Sequence, residues 1–204
     1  MLTDLQTFAN MGKTLCLLGA VALLTSCAAK ESDTKQISSA EVEKPSQEAL
    51  LERGKYLVAV TGCNDCHSAK IMTDRGPVPD EKYFMAGHVA AEKLPPVDKG
   101  AAKNGWVLFN MNNTAAVGPW GTSYAANLTP DATGIGNWTL DNFKKAMREG
   151  KYKGMDNTRM LLPPMPWPNF RNMTDEDIEA IFVYLKSLPP VKNVVPSAAP
   201  PVTS

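Results

Sequence analysis

Cys63-Asn64-Asp65-Cys66-His67 constrains this chain more than any other stretch. Side chains at i and i+3 point the same way on one helical turn, so the two thiols share a side. Both sulfurs can then bond one edge of a porphyrin, and the imidazole that follows can swing under the iron. C-x-x-C-H is the signature of c-type haem attachment. At this chain's Cys and His frequencies, such a pentapeptide arises by chance on the order of once in a thousand chains of this length. Two other readings compete. A thioredoxin-like dithiol wants a βαβ setting, which the surrounding sequence lacks. A zinc site wants further Cys or His donors at short spacing, and only His88 remains.

All four cysteines have an assignment. Cys63 and Cys66 serve the haem, while Cys16 and Cys27 fall in an N-terminal export segment, leaving none for a disulfide. His67 and His88 are the only histidines, so a second haem of the same type has no motif to use. The 21 basic and 21 acidic residues cancel, which argues against nucleic acid and against a strongly charged substrate. At 204 residues, 44% hydrophobic, the chain suits one globular domain with added terminal segments.

Residues 1–26 read as a signal peptide of lipoprotein type. Lys13 supplies a short basic region, and Thr14 to Leu24 an apolar run too short to span a bilayer. Residues 1–10 hold Asp4 and no basic residue, so Met11 is the expected start of translation. Leu24-Thr25-Ser26-Cys27 resembles a bacterial lipobox, whose Cys is lipidated; a plain signal peptide cut after a small residue is the alternative. Residues 27–45 are the lipidated Cys and a polar stretch without periodicity, expected as a disordered tether reaching about 20–25 Å from a membrane. Ala28 stands where many inner-membrane lipoproteins of this type carry Asp, which favours the outer membrane.

Residues 46–192 carry the domain. Ser46 is an N-cap, and Leu50, Leu51, Gly54, Leu57, Val58 and Thr61 form one helical stripe that ends at Gly62. Thr174 caps a closing helix whose first turn is acidic and whose apolar face is Ile178, Ile181, Phe182 and Leu185, stopped by Pro189-Pro190. Between them Thr139 caps a third helix, with Leu140, Phe143 and Met147 inward and Gly150 at its end. Its outer side and exit carry Lys144, Lys145, Arg148, Lys151 and Lys153, either a solvated face or a place where a partner docks. Residues 68–138 read as long loops. Trp106-Val107-Leu108-Phe109 is a brief strand or haem-pocket wall, and Asn112-Asn113-Thr114 and Asn127-Leu128-Thr129 match glycosylation sequons, a reading the bacterial-type lipobox argues against. Residues 193–204 read as a Pro-rich tail.

Two terminal helices joined to C-x-x-C-H resemble the class I cytochrome c fold. The expected fold is therefore mainly α: a class I-like helical domain around one covalent haem c, with a long loop insertion after the haem motif. In that family a first-helix Gly packs against an aromatic of the last helix, matched here by Gly54 and Tyr184. Ala86-Gly87-His88, Gly118-Pro119-Trp120-Gly121, Asn127-Leu128-Thr129-Pro130-Asp131, Thr133-Gly134-Ile135-Gly136 and Met165-Pro166-Trp167-Pro168 resemble runs of bacterial periplasmic cytochromes c. Their relatives include cytochrome subunits of membrane alcohol and sugar dehydrogenases. Many such subunits carry three haems; this chain has one motif.

For the iron's other face, Met160, Met165 and Met173 lie in the right part of the chain. Met165 sits between prolines that fix φ and extend the residues before them, which suits a ligand that must hold position in both oxidation states. Met165 is the expected sixth ligand, with Met160, His88 or an open site as alternatives. The resulting expectation is an exported, lipid-anchored, single-haem electron carrier between a redox donor and a redox acceptor, with no catalytic residue of its own. The alternative is a haem enzyme or a gas or redox sensor with an exchangeable sixth site.

Overall fold

The structure, a computed structural model, describes residues 44–201. Cys27, the signal peptide and most of the tether lie outside the described residues.

Helix α1 spans Gln47–Val60 and opens where Ser46 Oγ accepts from the Ala49 N–H at 3.2 Å. The closing helix, α6, spans Asp175–Ser187, with Thr174 Oγ1 accepting from Asp177 N–H and three acids on its positive end. These two helices cross at Gly54. A Cβ there would overlap the Ala180 carbonyl and lie 2.7 Å from Tyr184 Cβ, so only a bare Cα lets the backbones meet. The pairing of Gly54 with Tyr184, expected from the family resemblance, is thus the actual crossing. Leu50, Leu57 and Val58 of α1 face Ile178, Ile181 and Leu185 of α6 in one buried cluster. Each such side chain contributes about 1.5–3 kcal/mol of transfer free energy.

Helix α2, Cys63–His67, follows α1 through Gly62, whose φ of 70° turns the chain. Helix α3 is the short Lys99–Lys103. Helix α4, Leu140–Glu149, has the capping box formed by Thr139 and Asn142 and ends on left-handed Gly150. It adds Phe143 and Met147 to the core. Helix α5 is one turn, Trp167–Phe170. No helix of the described residues is long and apolar enough to cross a membrane.

The region expected as loops holds two small antiparallel sheets. Strands β1 (Lys70–Thr73) and β2 (Gly76–Pro79) form a hairpin. Strands β3 (Leu108–Phe109), β4 (Ala115–Gly118) and β5 (Gly121–Tyr124) lie in the order β3-β4-β5, and Pro119-Trp120 make the β4–β5 turn. Leu108–Phe109 is the edge strand of this sheet, and Trp106 and Phe109 are exposed. Residues 193–201, expected as a tail beyond the domain, are fastened to it. Asn193 is buried and donates from Nδ2 to the Ala86 and His88 carbonyls, and Ala199 and Thr122 exchange two backbone hydrogen bonds on the free edge of β5.

Candidate functional site

Helix α2 places both thiols of the motif on one turn, unpaired and half-buried. Burial pushes each thiol above the ordinary cysteine value; the Thr61 hydroxyl, 3.3 Å from Cys63 Sγ, only partly offsets this. A reactive dithiol needs the opposite shift. Among the described residues, no group of three or more His, Cys, Asp or Glu gathers as a metal-holding cluster, so a four-donor zinc site has nothing to draw on there.

His67 is buried, and burial holds its pKa below the ordinary histidine value, so the ring is neutral at pH 7. Its Nδ1 lies 2.7 Å from the Ala126 carbonyl oxygen. A carbonyl only accepts, so Nδ1 carries the proton and donates it. Nε2 therefore keeps its lone pair, and the carbonyl makes that nitrogen a stronger donor to a metal.

The Ala126 carbonyl is itself held from both sides. His88 N–H donates to the Ala125 carbonyl at 3.0 Å, and Leu128 N–H to the Met85 carbonyl at 2.8 Å. Gly87 permits this approach: its φ is +75°, and a Cβ there would lie 2.6 Å from the Ala126 oxygen. On its other side Gly87 N–H donates to the His67 carbonyl at 2.8 Å. Gly87 is a positioning residue that the sequence shows only inside the Ala86-Gly87-His88 run.

Lys70 is the other residue missed from sequence. Its ammonium donates to the carbonyls of Asn64 (3.1 Å), Asp65 (3.0 Å) and Ser68 (2.5 Å), the C-terminal side of the Cys63–His67 turn. The last carbonyls of a helix have no internal partners, and a cation there satisfies them. Burial lowers the Lys70 pKa, which Asp65 opposes. Asn112 fastens the same corner from the 110–114 turn, accepting from Lys70 N–H at 3.0 Å and donating to Glu92 at 2.9 Å.

His88 has a structural task. It is buried, its Nδ1 lies 2.9 Å from Thr114 Oγ1, and its ring packs on Tyr124 of β5 at 4.9 Å. Asn127 and Thr129, the second sequon, are buried and hydrogen-bonded to each other and to the Val191 carbonyl, which removes them from the surface.

Met165 is half-buried, and it packs with Cys63, Phe84, Leu128, Trp138 and Met173 against the apolar cluster of α1, α4 and α6. Met160 is 40% exposed and is drawn to the edge by its bridge with Lys151. The attachment turn and Met165 thus border the same apolar core. Two unpaired thiols on one turn, an imidazole with a free Nε2 and a wall of half-covered apolar side chains fit a porphyrin.

Three cations of the basic outer side of α4 are paired with two carboxylates of the chain. Lys144 Nζ is 2.8 Å from Asp175, Lys145 is 2.7 Å from Asp156, and Arg148 pairs with Asp175. Lys144 and Arg148 hold the Asp175 carboxyl below the usual carboxylate range. These pairs tie α4 to the start of α6 and to the turn at Asp156.

The family profile described as "Cytochrome c" matches residues 51–189. The sequence is 31% identical over 147 residues, 72% of this chain, to the "Gluconate 2-dehydrogenase cytochrome c subunit" of Pantoea cypripedii, covering 25% of that protein. It is 30% identical over 138 residues, 67% of this chain, to the "Alcohol dehydrogenase (quinone), cytochrome c subunit" of Gluconobacter oxydans, covering 21% of it. Over 136 residues, 66% of this chain, it is 28% identical to the "Fructose dehydrogenase cytochrome subunit" of Gluconobacter japonicus, covering 20% of it. The chain therefore spans a quarter or less of these relatives. Covalently bound haem c and electron transfer go with the family. With the helical frame, the attachment turn and these matches in agreement, the chain belongs to the cytochrome c family and is related to the cytochrome c subunits of bacterial dehydrogenases.

Proposed function

We propose that this chain is a single-haem cytochrome c that carries one electron at a time, with Cys63 and Cys66 as thioether attachments, His67 as proximal ligand and Met165 as distal ligand. The observation that carries the reading is the His67 Nδ1–H donated to the Ala126 carbonyl at 2.7 Å, which leaves Nε2 for iron. Bound haem c supplies a ferric–ferrous couple. The residues do the rest. Ala126 fixes the imidazole's tautomer and direction, and Lys70 closes the turn that holds both sulfurs. A Met thioether is neutral and soft, favours ferrous iron and raises the reduction potential. Because the relatives are dehydrogenase subunits by name, the proposed electron donor is a dehydrogenase and the acceptor a further redox protein.

Extraction with acidified acetone tests the attachment. Haem should stay with the protein, and the intact mass should exceed that of the polypeptide by one haem. Cys63→Ser or Cys66→Ser should leave a single thioether, read as a red-shifted pyridine haemochrome. Complete extraction of haem from the wild type would sink the assignment.

The membrane part of the proposal rests on sequence. Cys27, at the end of the lipobox-like run, is proposed to anchor the protein on the periplasmic side, on the outer membrane by the Ala28 argument. Cys27→Ser should release a soluble, haem-loaded form, since the anchor precedes the domain. A variant that stays in the membrane fraction after salt washing would refute lipid anchoring.

A further inference from the structure

The segment from Leu162 to Trp167 has little of its own to hold it. Three of its six residues are proline, and proline donates no hydrogen bond. Within the segment Met165 N–H reaches only the Leu162 carbonyl, at 3.3 Å. The Pro166 and Trp167 carbonyls are taken by the turn that follows. Just before it, Leu161 N–H is tied to the Gly150 carbonyl. Between these ends, among the described residues, one hydrogen bond joins the segment to the rest of the domain. Ser123 Oγ on β5 donates to the Pro163 carbonyl at 2.6 Å.

That hydroxyl is aimed. Trp120 Nε1–H donates to Ser123 Oγ at 3.2 Å, which occupies a lone pair and leaves the proton free to point outward. The competing acceptor, the Ala116 carbonyl, is 3.4 Å away. The strand beneath is held on both edges, by β4 along its length and by the Thr122–Ala199 pair. Ser123 is 7% exposed, so water does not compete freely for the bond.

We infer that Ser123 is a positioning residue for Met165, and that the inserted three-stranded sheet serves as a buttress for the distal loop. The inference rests on Met165 being the distal ligand. Holding the Pro163 carbonyl limits how far the loop can swing, and so keeps the thioether in place when the iron changes oxidation state. Without that tie the loop opens more often, and exogenous or alkaline ligands replace the sulfur more readily.

The test compares haem-loaded wild type, Ser123→Ala, Ser123→Thr and Met165→Ala. Two quantities are read: the pH at which the red charge-transfer band of the ferric Met–iron bond is lost, and the rate of carbon monoxide binding to the ferrous protein. Losing one buried hydrogen bond should raise the population of the open loop roughly tenfold. Ser123→Ala should therefore lose the band at a pH about one unit lower and bind carbon monoxide about ten times faster. Ser123→Thr, which keeps the hydroxyl, should behave as wild type. If Ser123→Ala matches wild type in both readouts, even with a lower melting temperature, Ser123 has no positioning role and the inference is overturned. If Met165→Ala keeps the band, or the wild type lacks it, the Met165 assignment fails instead, and the inference falls with it.

Discussion

Met165→Ala should convert a low-spin ferric protein into a high-spin one and open the reduced iron to carbon monoxide. A thioether occupies the sixth position only while its loop holds it there, and alanine has no atom to offer in its place. The red charge-transfer band should vanish, and the reduction potential should fall because the ligand that favours the ferrous state is gone. Met165→His should also lower the potential if the ring reaches, since imidazole is the better donor to ferric iron. The control is Met173→Ala. Met173 is half-buried on the same cluster, whereas Met160 is drawn to the surface. Met173→Ala should cost stability and keep the low-spin spectrum. A band that survives Met165→Ala would move the ligand to another side chain, with Met160 and His88 the next to replace. A wild type that lacks the band and binds carbon monoxide readily would favour a sensor or enzyme with an exchangeable site.

Gly54→Ala should destabilise the haem-loaded domain although alanine is the better helix former. Propensity favours the change by about 1 kcal/mol. Against this, the new methyl meets the Ala180 backbone carbonyl and lies 2.7 Å from Tyr184 Cβ. Neither atom is the end of a flexible side chain, so α1 and α6 must part, at a cost of about 3 kcal/mol or more. The net loss of about 2 kcal/mol should lower the melting temperature by about 4–8 °C in a domain of this size. Tyr184→Ala in the same background should not rescue it, because the Ala180 carbonyl remains. A melting temperature equal to or above wild type would show that the helices do not cross at Gly54 in solution.

The long helices α1, α4 and α6 were legible in the sequence because their signals are local, whereas the short α3 and α5 were not expected. Ser46, Thr139 and Thr174 cap where they were expected to, since each side chain bonds a backbone N–H three residues on. The stripe through Leu50, Leu57 and Val58 becomes the buried face because its spacing follows the helical period. The sheets were not legible. Strands of two to four residues are too short for a periodic signal, and β4 is buried on nearly every residue, so it does not alternate. The basic face of α4 was open to two readings because its partners, Asp156 and Asp175, come from later in the chain.

By itself the sequence pointed to the chemistry: a thiol pair with an adjacent imidazole, a helix cap and a methionine between prolines are each written in a short local run of residues. Only the tertiary structure decided how that chemistry is held. The carbonyl that orients His67 belongs to Ala126, 59 positions away. The hydroxyl that ties the Met165 loop comes from Ser123, 40 positions before its acceptor. A backbone carbonyl or a serine hydroxyl exists at every such residue, and nothing in its identity says which partner it will meet. That choice is made by packing, where Gly54 and Gly87 let backbones approach at distances no other side chain allows.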